Sequence, residues 1–242
     1  AARKVDLVKI WVDDRNGQYE KLSPALYGAI IDEAHQHGLR VTAHIFALED
    51  AKGLLRAGID AFAHGIRDQD IDEEIIELFK ERPHVVLVPN LPDQGLAMDL
   101  SWLGETVPAE ELQQLQEAST DRPAVQERFG IQSRNLGRLH AEGVRIAFGT
   151  DGGIAWRVPI EMVEMVASGM SPAEVITAAT RNSAELLQLD DVGTVEANKS
   201  ADFIVLDANP LEDITNMRRI AEVYLRGEKV DRAALRAGWT GQ

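Results

Sequence analysis

The amino-acid sequence predicts an α/β fold in which parallel strands alternate with crossover helices. Three segments lead to this prediction: residues 38–44, 58–64 and 143–151 each begin with a glycine that follows a helix-like stretch and continue as an apolar run. Glycine permits the left-handed turn that ends many helices. Short apolar runs that alternate with helical segments are typical of a buried parallel sheet.

The same pattern extends over the first part of the chain. Strands are predicted at residues 5–12, 38–44, 58–64, 84–90 and 143–151, with helices at 24–37, 47–57 and 70–81. Ser23 followed by Pro24 is a helix-start signal, because serine caps the free N–H groups and proline suits the first turn. The sequence therefore predicts five strands joined by helices.

Residues 91–122 form a long polar insertion that contains Trp102. Because the insertion follows a strand, it is expected to be either a lid or pocket wall over the active-site face, or a decorated surface loop.

Beyond Asp151 the pattern predicts helices near residues 158–168, 171–180 and 181–188, the second of which starts with a capping box at Ser171 and Glu174. The composition then changes to short strand-like runs at 201–207 and 220–226. We therefore divide the chain into an α/β domain at residues 1–190 and a small β unit at 191–242.

The composition and net charge of the chain exclude several classes of function and of metal ligand. A net charge of −15 argues against a surface that follows nucleic-acid phosphates or anionic lipid. No apolar run approaches the roughly 20 residues of a membrane span. The absence of cysteine leaves histidine and oxygen atoms as the available metal ligands. Cytoplasmic and periplasmic locations both remain open.

Polar residues end several of the predicted strands. His44, His64, Asn90 and Asp151 fall at carboxyl ends, and Lys9 lies in the second half of the first strand. The carboxyl ends of parallel strands share one edge of the sheet, where α/β proteins place their functional residues.

Two histidines at equivalent positions, with an aspartate on a third strand, favour a metal site. Imidazole and carboxylate suit zinc, and a catalytic site keeps one position for water. Asp151 is then both a ligand and the proton acceptor. The alternative for Asp151 is a turn or cap residue, since Asp-Gly is a common turn pair.

Lys9 is expected to be buried in its apolar strand and therefore paired, neutralised or modified. An ion pair, a Schiff-base lysine and N-carboxylation to a bridging carboxylate all remain open. His35 and His37 imitate a His-x-His ligand pair, but positions two apart on a helix point to different sides, so both are expected at the surface. His84 and His140 are expected to be structural.

Five segments together resemble the amidohydrolase superfamily, in its imidazolonepropionase-like and Xaa-Pro or Xaa-Arg dipeptidase-like branch. They are VKI at 8–10, VTAH at 41–44, FAHG at 62–65, IAFGTD at 146–151 and GTVEANKSADFIVLDANP at 193–210. Residues 223–230 resemble the closing strand pair of the small sandwich domain in this family.

The resemblance implies part of a (β/α)₈ TIM barrel, strands four to eight, beside the C-terminal part of a β-sandwich. Lys9 would be the carboxylated bridging ligand, His44 and His64 would hold a second metal, and Asp151 would bind the first metal. The implied reaction is hydrolysis of an amide, cyclic amide or dipeptide C–N bond with one or two zinc ions. Asn90 and Arg157 are the substrate-binding candidates.

The His-x-His motif expected on strand one of this superfamily does not precede Lys9 in the sequence given. We therefore expect a missing N-terminal segment or a complementary chain as a partner, besides a small-molecule substrate. Exposed sheet edges also favour a homo-oligomer. The alternatives are a non-catalytic truncated remnant and a Schiff-base lyase that uses Lys9.

Overall fold

The larger sheet of the computed structural model is parallel and follows the chain in strict order. It consists of β1 (Leu7–Val12), β2 (Arg40–Ile45), β3 (Ala61–Ala63), β4 (Val86–Val88) and β5 (Arg145–Ile146). The structure describes residues 4–152 and 156–240. Residues 1–3, 153–155 and 241–242, which the two predicted domains include, lie outside the described part.

Nine α-helices accompany the sheets within the described residues. They are α1 (Pro24–Gln36), α2 (Leu48–Ala57), α3 (Glu73–Lys80), α4 (Ala109–Ala118), α5 (Pro123–Ala141), α6 (Arg157–Ala167), α7 (Pro172–Thr177), α8 (Ser183–Leu187) and α9 (Arg232–Thr240). Short 3₁₀ helices occupy Ser101–Leu103 and Ile214–Arg218, and a π-helical turn at Ala178–Asn182 joins α7 to α8.

The prediction of an α/β fold with five parallel strands is confirmed. The helix signals were also accurate: Ser23 caps α1 through the N–H of Leu26, and Ser171 and Glu174 form the predicted capping box of α7. Local side-chain chemistry fixed these boundaries, which explains why the sequence alone could locate them.

The predicted strand at 143–151 is much shorter in the structure. Ala147 still donates to the Leu87 carbonyl, but the next N–H, of Phe148, donates to the Ser183 hydroxyl. A side chain from α8 thus replaces the neighbouring strand as the hydrogen-bond partner, and the chain leaves the sheet there.

The insertion at 91–122 is not structureless, because it contains α4 and a 3₁₀ turn. No residue of α4 is buried, so this helix has no apolar stripe from which its period could be recognised. Helix α9 was likewise not predicted.

The two faces of the parallel sheet differ in their surroundings. Successive residues of a strand point to opposite faces, and one face, with Ile10, Val12 and Phe62, is buried in the core with the helices. On β1 the opposite face carries Leu7, Lys9 and Trp11, and all three are exposed. The sheet is therefore covered on one side and open on the other at β1.

The second sheet is antiparallel and contains β6 (Phe203–Leu206), β7 (Ile220–Leu225) and β8 (Glu228–Lys229). The 3₁₀ helix at Ile214–Arg218 packs against α6, and Ile214 is buried in the main core. This C-terminal unit is therefore anchored to the α/β part. No described helix is long and apolar enough to cross a membrane.

Candidate active site

His44 and His64 face each other at the carboxyl ends of adjacent strands. His44 lies within β2 and His64 directly follows β3, and each is 5% exposed. Their ring centroids are 4.5 Å apart with an interplanar angle of 73°. The parallel register of β2 and β3 therefore brings two imidazoles, twenty residues apart in sequence, into contact.

His44 is held by groups from β1 and the loop after it. Its ring stacks on Trp11 at 3.5 Å, and its Nε2 donates a hydrogen bond to Oδ2 of Asp13 at 3.1 Å. Because Nε2 carries the proton in this bond, the neutral ring keeps its lone pair on Nδ1. That atom is buried and has no hydrogen-bond partner among the residues described.

Asp151 approaches the second histidine. Its Oδ2 lies 3.5 Å from Nε2 of His64, and its side chain is 58% exposed. The carboxylate therefore stands between the imidazole pair and the solvent, where it can exchange protons with water.

Burial keeps both imidazoles neutral near pH 7. The pKa of His64 is lowered to about 4, mainly by burial and next by the positive charge of Arg67, with smaller contributions from His44 and Lys9. The pKa of His44 is also lowered by burial, although its bond to Asp13 opposes the shift. Neutral imidazoles offer lone pairs to a metal or a proton donor.

Three residues at this edge have left-handed backbone conformations: His64 with φ 79°, Asn90 with φ 45° and Asp151 with φ 47°. Such conformations are uncommon outside glycine, and His, Asn and Asp tolerate them best. Backbone strain of this kind clusters at functional sites, so the same feature in the segments that follow three consecutive strands supports a functional edge.

The expectation that Lys9 is buried is wrong. Its side chain is exposed, because β1 is the edge strand and its face with Lys9 is uncovered. Lys9 is paired in register with Thr42 on β2, two residues before His44. Its charge still lowers the pKa of both histidines, so the amine lies near the imidazole pair.

The two substrate-binding candidates differ in position. The side chain of Asn90 lies close to Gly149, which is two residues before Asp151 in the sequence. The main-chain carbonyl of Asn90 accepts a hydrogen bond from the side chain of Gln132 of α5 at 3.3 Å. Arg157 begins α6, where its charge acts on Glu161, Glu164 and Asp93. The structure therefore places the Arg157 charge near these three carboxyl groups.

The sequence interpretation missed Asp13 and Arg67. Asp13 directly follows β1 and pairs with His44, while Arg67 is largely buried and donates to the Ile45 carbonyl at 2.9 Å. Both residues line a cleft of roughly 480 Å³ beside His44 and Trp11. Their signal was available, since both stand within four residues of a strand end.

The described residues only partly fit a zinc site. Two imidazoles and a carboxylate are the right chemical types, and Nδ1 of His44 is an unpartnered buried nitrogen. However, no group of three His, Asp or Glu side chains within residues 4–152 and 156–240 has the geometry to hold an ion. The described residues alone therefore do not provide a complete set of zinc ligands.

Paired histidines and an aspartate at the carboxyl edge of a parallel sheet define a class of α/β proteins with a polar site at their strand ends. Within that class, the chain belongs to the amidohydrolase family, whose model matches residues 18–230.

Named relatives agree with this assignment. The chain is 30% identical to ochratoxinase of Aspergillus niger, covering 83% of this chain and 39% of that protein. It is 26% identical to imidazolonepropionase of Deinococcus radiodurans, covering 76% of this chain and 46% of that protein. A solved structure of a Xaa-Pro dipeptidase superposes with a TM-score of 0.71 at 25% identity, over 95% of this chain and 55% of that one.

The chain spans about half the length of the curated relatives it matches, with values such as 56% and 39%. The shared region is therefore one portion of a larger architecture in those proteins.

Proposed function

We propose that this chain is the C-terminal part of a metal-dependent hydrolase of C–N bonds, acting on an amide, a cyclic amide or a dipeptide. The observation that carries the proposal is the convergence of His44, His64 and Asp151 at neighbouring strand ends. Membership of the amidohydrolase family supports the reaction class.

The residues of the chain have distinct proposed roles. Asp151, half exposed beside His64, accepts the proton from the attacking water. His44 and His64 offer neutral nitrogen ligands, because burial keeps their rings uncharged near pH 7. Asp13 and Trp11 hold the His44 ring in place, as outer partners of metal-binding histidines do.

We assign the metal as one or two zinc ions, which in such enzymes polarise the carbonyl and acidify water. Since the described residues do not provide a complete donor set, the remaining ligands are proposed to come from an N-terminal segment or a complementary chain. Lys9, exposed at the open edge of the sheet, is proposed to join them as a carboxylated ligand. Asn90 and Arg157 stay as the substrate-binding proposals.

The substrate is proposed to be small. The cleft beside His44 has a volume of roughly 480 Å³, which lies in the range of about 300 to 1,000 Å³ typical of small-molecule sites. The names of two similar proteins indicate which substrates to test first. These are a Xaa-Pro dipeptide, from the Xaa-Pro dipeptidase, and an imidazolone, from the imidazolonepropionase.

Zinc binding tests the proposal. We expect the chain, supplied with the N-terminal half of a relative, to bind zinc measurably by elemental analysis after dialysis. The variant His64→Asn should bind at least about tenfold more weakly, since a ligand is lost. Asparagine is chosen because it tolerates the left-handed backbone at this position, where φ is 79°.

The matched control is His84→Asn, at an exposed histidine before β4. It should leave zinc binding unchanged. Failure of the assembled protein to retain zinc after loading, or equal binding by His64→Asn, would contradict the proposal.

A further inference from the structure

A second cavity lies beside α6, where this helix meets the insertion and the last 3₁₀ helix. Its walls come from Ile160 and Glu164 of α6, from Met98 and Trp102 of the insertion, and from Arg218 of the last 3₁₀ helix. The volume is roughly 310 Å³, at the lower end of small-molecule sites. It shares no lining residue with the cleft beside His44.

Glu164 is a buried acid in the wall of this cavity. It is 1% exposed, and neither carboxyl oxygen meets a hydrogen-bond donor among the described residues. Burial raises the pKa of Glu164 to about 9, and the neighbouring Glu161 adds to the shift. The nearby Gln94 backbone N–H opposes the shift slightly, although it forms no well-aligned hydrogen bond with the carboxyl group. Buried polar groups are nearly always paired, so a missing donor is the simplest account of this one.

Arg218 is the complementary group across the cavity. Its guanidinium lies 4.4 Å from the Trp102 ring, and its Nε is buried without a partner in the part of the chain that the structure describes. The pKa of Arg218 is lowered by burial, while Asp213 and Asp99 oppose the shift. Glu164 and Arg218 thus line one cavity without a hydrogen bond to each other, and Asp99, a second acid in the lining, acts on the Arg218 charge.

We propose that this cavity binds a small zwitterion, an α-amino acid with an apolar side chain. Its ammonium group takes the place of the proton that Glu164 otherwise holds, and this proton is released to solvent, so that the ammonium donates to the resulting carboxylate. Its carboxylate accepts from Arg218, and its side chain packs on Trp102, Met98 and Ile160. A simple cation would leave the buried Nε of Arg218 without an acceptor, and a simple anion would leave Glu164 protonated and without a donor. An apolar ligand would leave both unsatisfied.

Matched probes of one shape test the charge requirement. L-leucine has both charges, 4-methylpentanoate lacks the ammonium group and 3-methylbutylamine lacks the carboxylate. We expect saturable binding of L-leucine in isothermal titration, with both analogues at least about tenfold weaker. No binding of L-leucine up to about 10 mM, or equal binding of all three, would overturn the proposal.

Two variants locate the binding. Glu164→Gln should bind L-leucine no more tightly than 4-methylpentanoate. Arg218→Gln should bind L-leucine no more tightly than 3-methylbutylamine. Arg219→Gln is the matched control, because Arg219 is the next residue but does not line the cavity. Circular dichroism confirms that each variant is folded, and retained preference in folded Glu164→Gln would refute the assignment.

This inference does not depend on the hydrolase proposal. His64→Asn should leave L-leucine binding unchanged, because the two sites share no residue. A loss of L-leucine binding in that variant would place the ligand in the cleft beside His44 and contradict the second site.

Discussion

Glu161 and Glu164 show how strongly burial can raise the pKa of a carboxyl group. Both are 1% exposed on α6, and burial raises the pKa of Glu161 to about 8 and that of Glu164 to about 9. Glu161 has one compensating contact, since its Oε1 accepts from the Leu91 N–H at 2.8 Å. The two acids are therefore protonated at neutral pH and contribute no negative charge to the core.

These raised pKa values predict a pH-dependent stability. The folded chain keeps protons that the unfolded chain releases above the ordinary pKa of 4.5. Their contribution is thus complete below about pH 4.5 and is lost as the pH rises through 8 and 9. Glu164→Gln mimics the protonated acid and should raise the free energy of unfolding at pH 8.5 by a few kcal/mol, since each pH unit contributes up to about 1.4 kcal/mol.

Urea denaturation at pH 5, 7 and 8.5 measures this difference. The gain in the free energy of unfolding from Glu164→Gln should shrink as the pH approaches 5, because the unfolded wild-type chain then also begins to hold the Glu164 proton. An advantage that is the same at pH 5 and 8.5 would show that burial does not control this acid.

At the scale of the elements, helix α5 closely approaches the backbone just after α6 at Gly137, a residue without a side chain. A Cβ placed on Gly137 of α5 would lie 2.3 Å from the carbonyl oxygen of Ser168, just after α6. Ser168 also bonds through its Oγ to Ser133 Oγ at 2.9 Å, which fixes the two segments together. The glycine is therefore required by the packing of two backbones.

Gly137→Ala should accordingly destabilise the chain by about 1–3 kcal/mol, as overpacking commonly does. Gly130→Ala is the matched control on the same helix, because its Cβ would meet only the mobile end of Arg134 at 3.2 Å. That control should be neutral or stabilise by about 0.5–1 kcal/mol, the helix-propensity gain of alanine. Urea midpoints compare the two, and equal effects would exclude the packing explanation.

At the scale of the whole molecule, the uncovered face of β1 is an exposed apolar surface on an edge strand. Leu7 is 36% and Trp11 is 42% exposed on this edge strand, where an unpaired backbone and apolar side chains invite association. In the longer relatives a further portion of the protein accompanies this region, as the coverage of about half shows.

We predict that the isolated chain self-associates through this edge. Leu7→Glu should shift the sedimentation coefficient toward the monomer value, because a charge at an edge strand opposes pairing. Leu187→Glu, at an exposed leucine of α8 away from the sheet, is the control and should not change it. A monomer at every concentration tested, without any substitution, would contradict the prediction.

The sequence by itself determined the repeated helix–glycine–strand unit, and with it the strand ends that bear His44, His64 and Asp151. These features follow from local rules, since glycine turns, helix caps and apolar runs act over a few residues. The residues at those ends could therefore be named before any coordinates were considered.

Only the tertiary structure decided which of these groups meet and what covers them. Lys9 is exposed because nothing packs on its face of β1, and the unpartnered acid Glu164 lies in a wall opposite Trp102 and Arg218, which come from distant parts of the chain. Burial and charge compensation depend on such long-range contacts, so no local pattern in the sequence could reveal them.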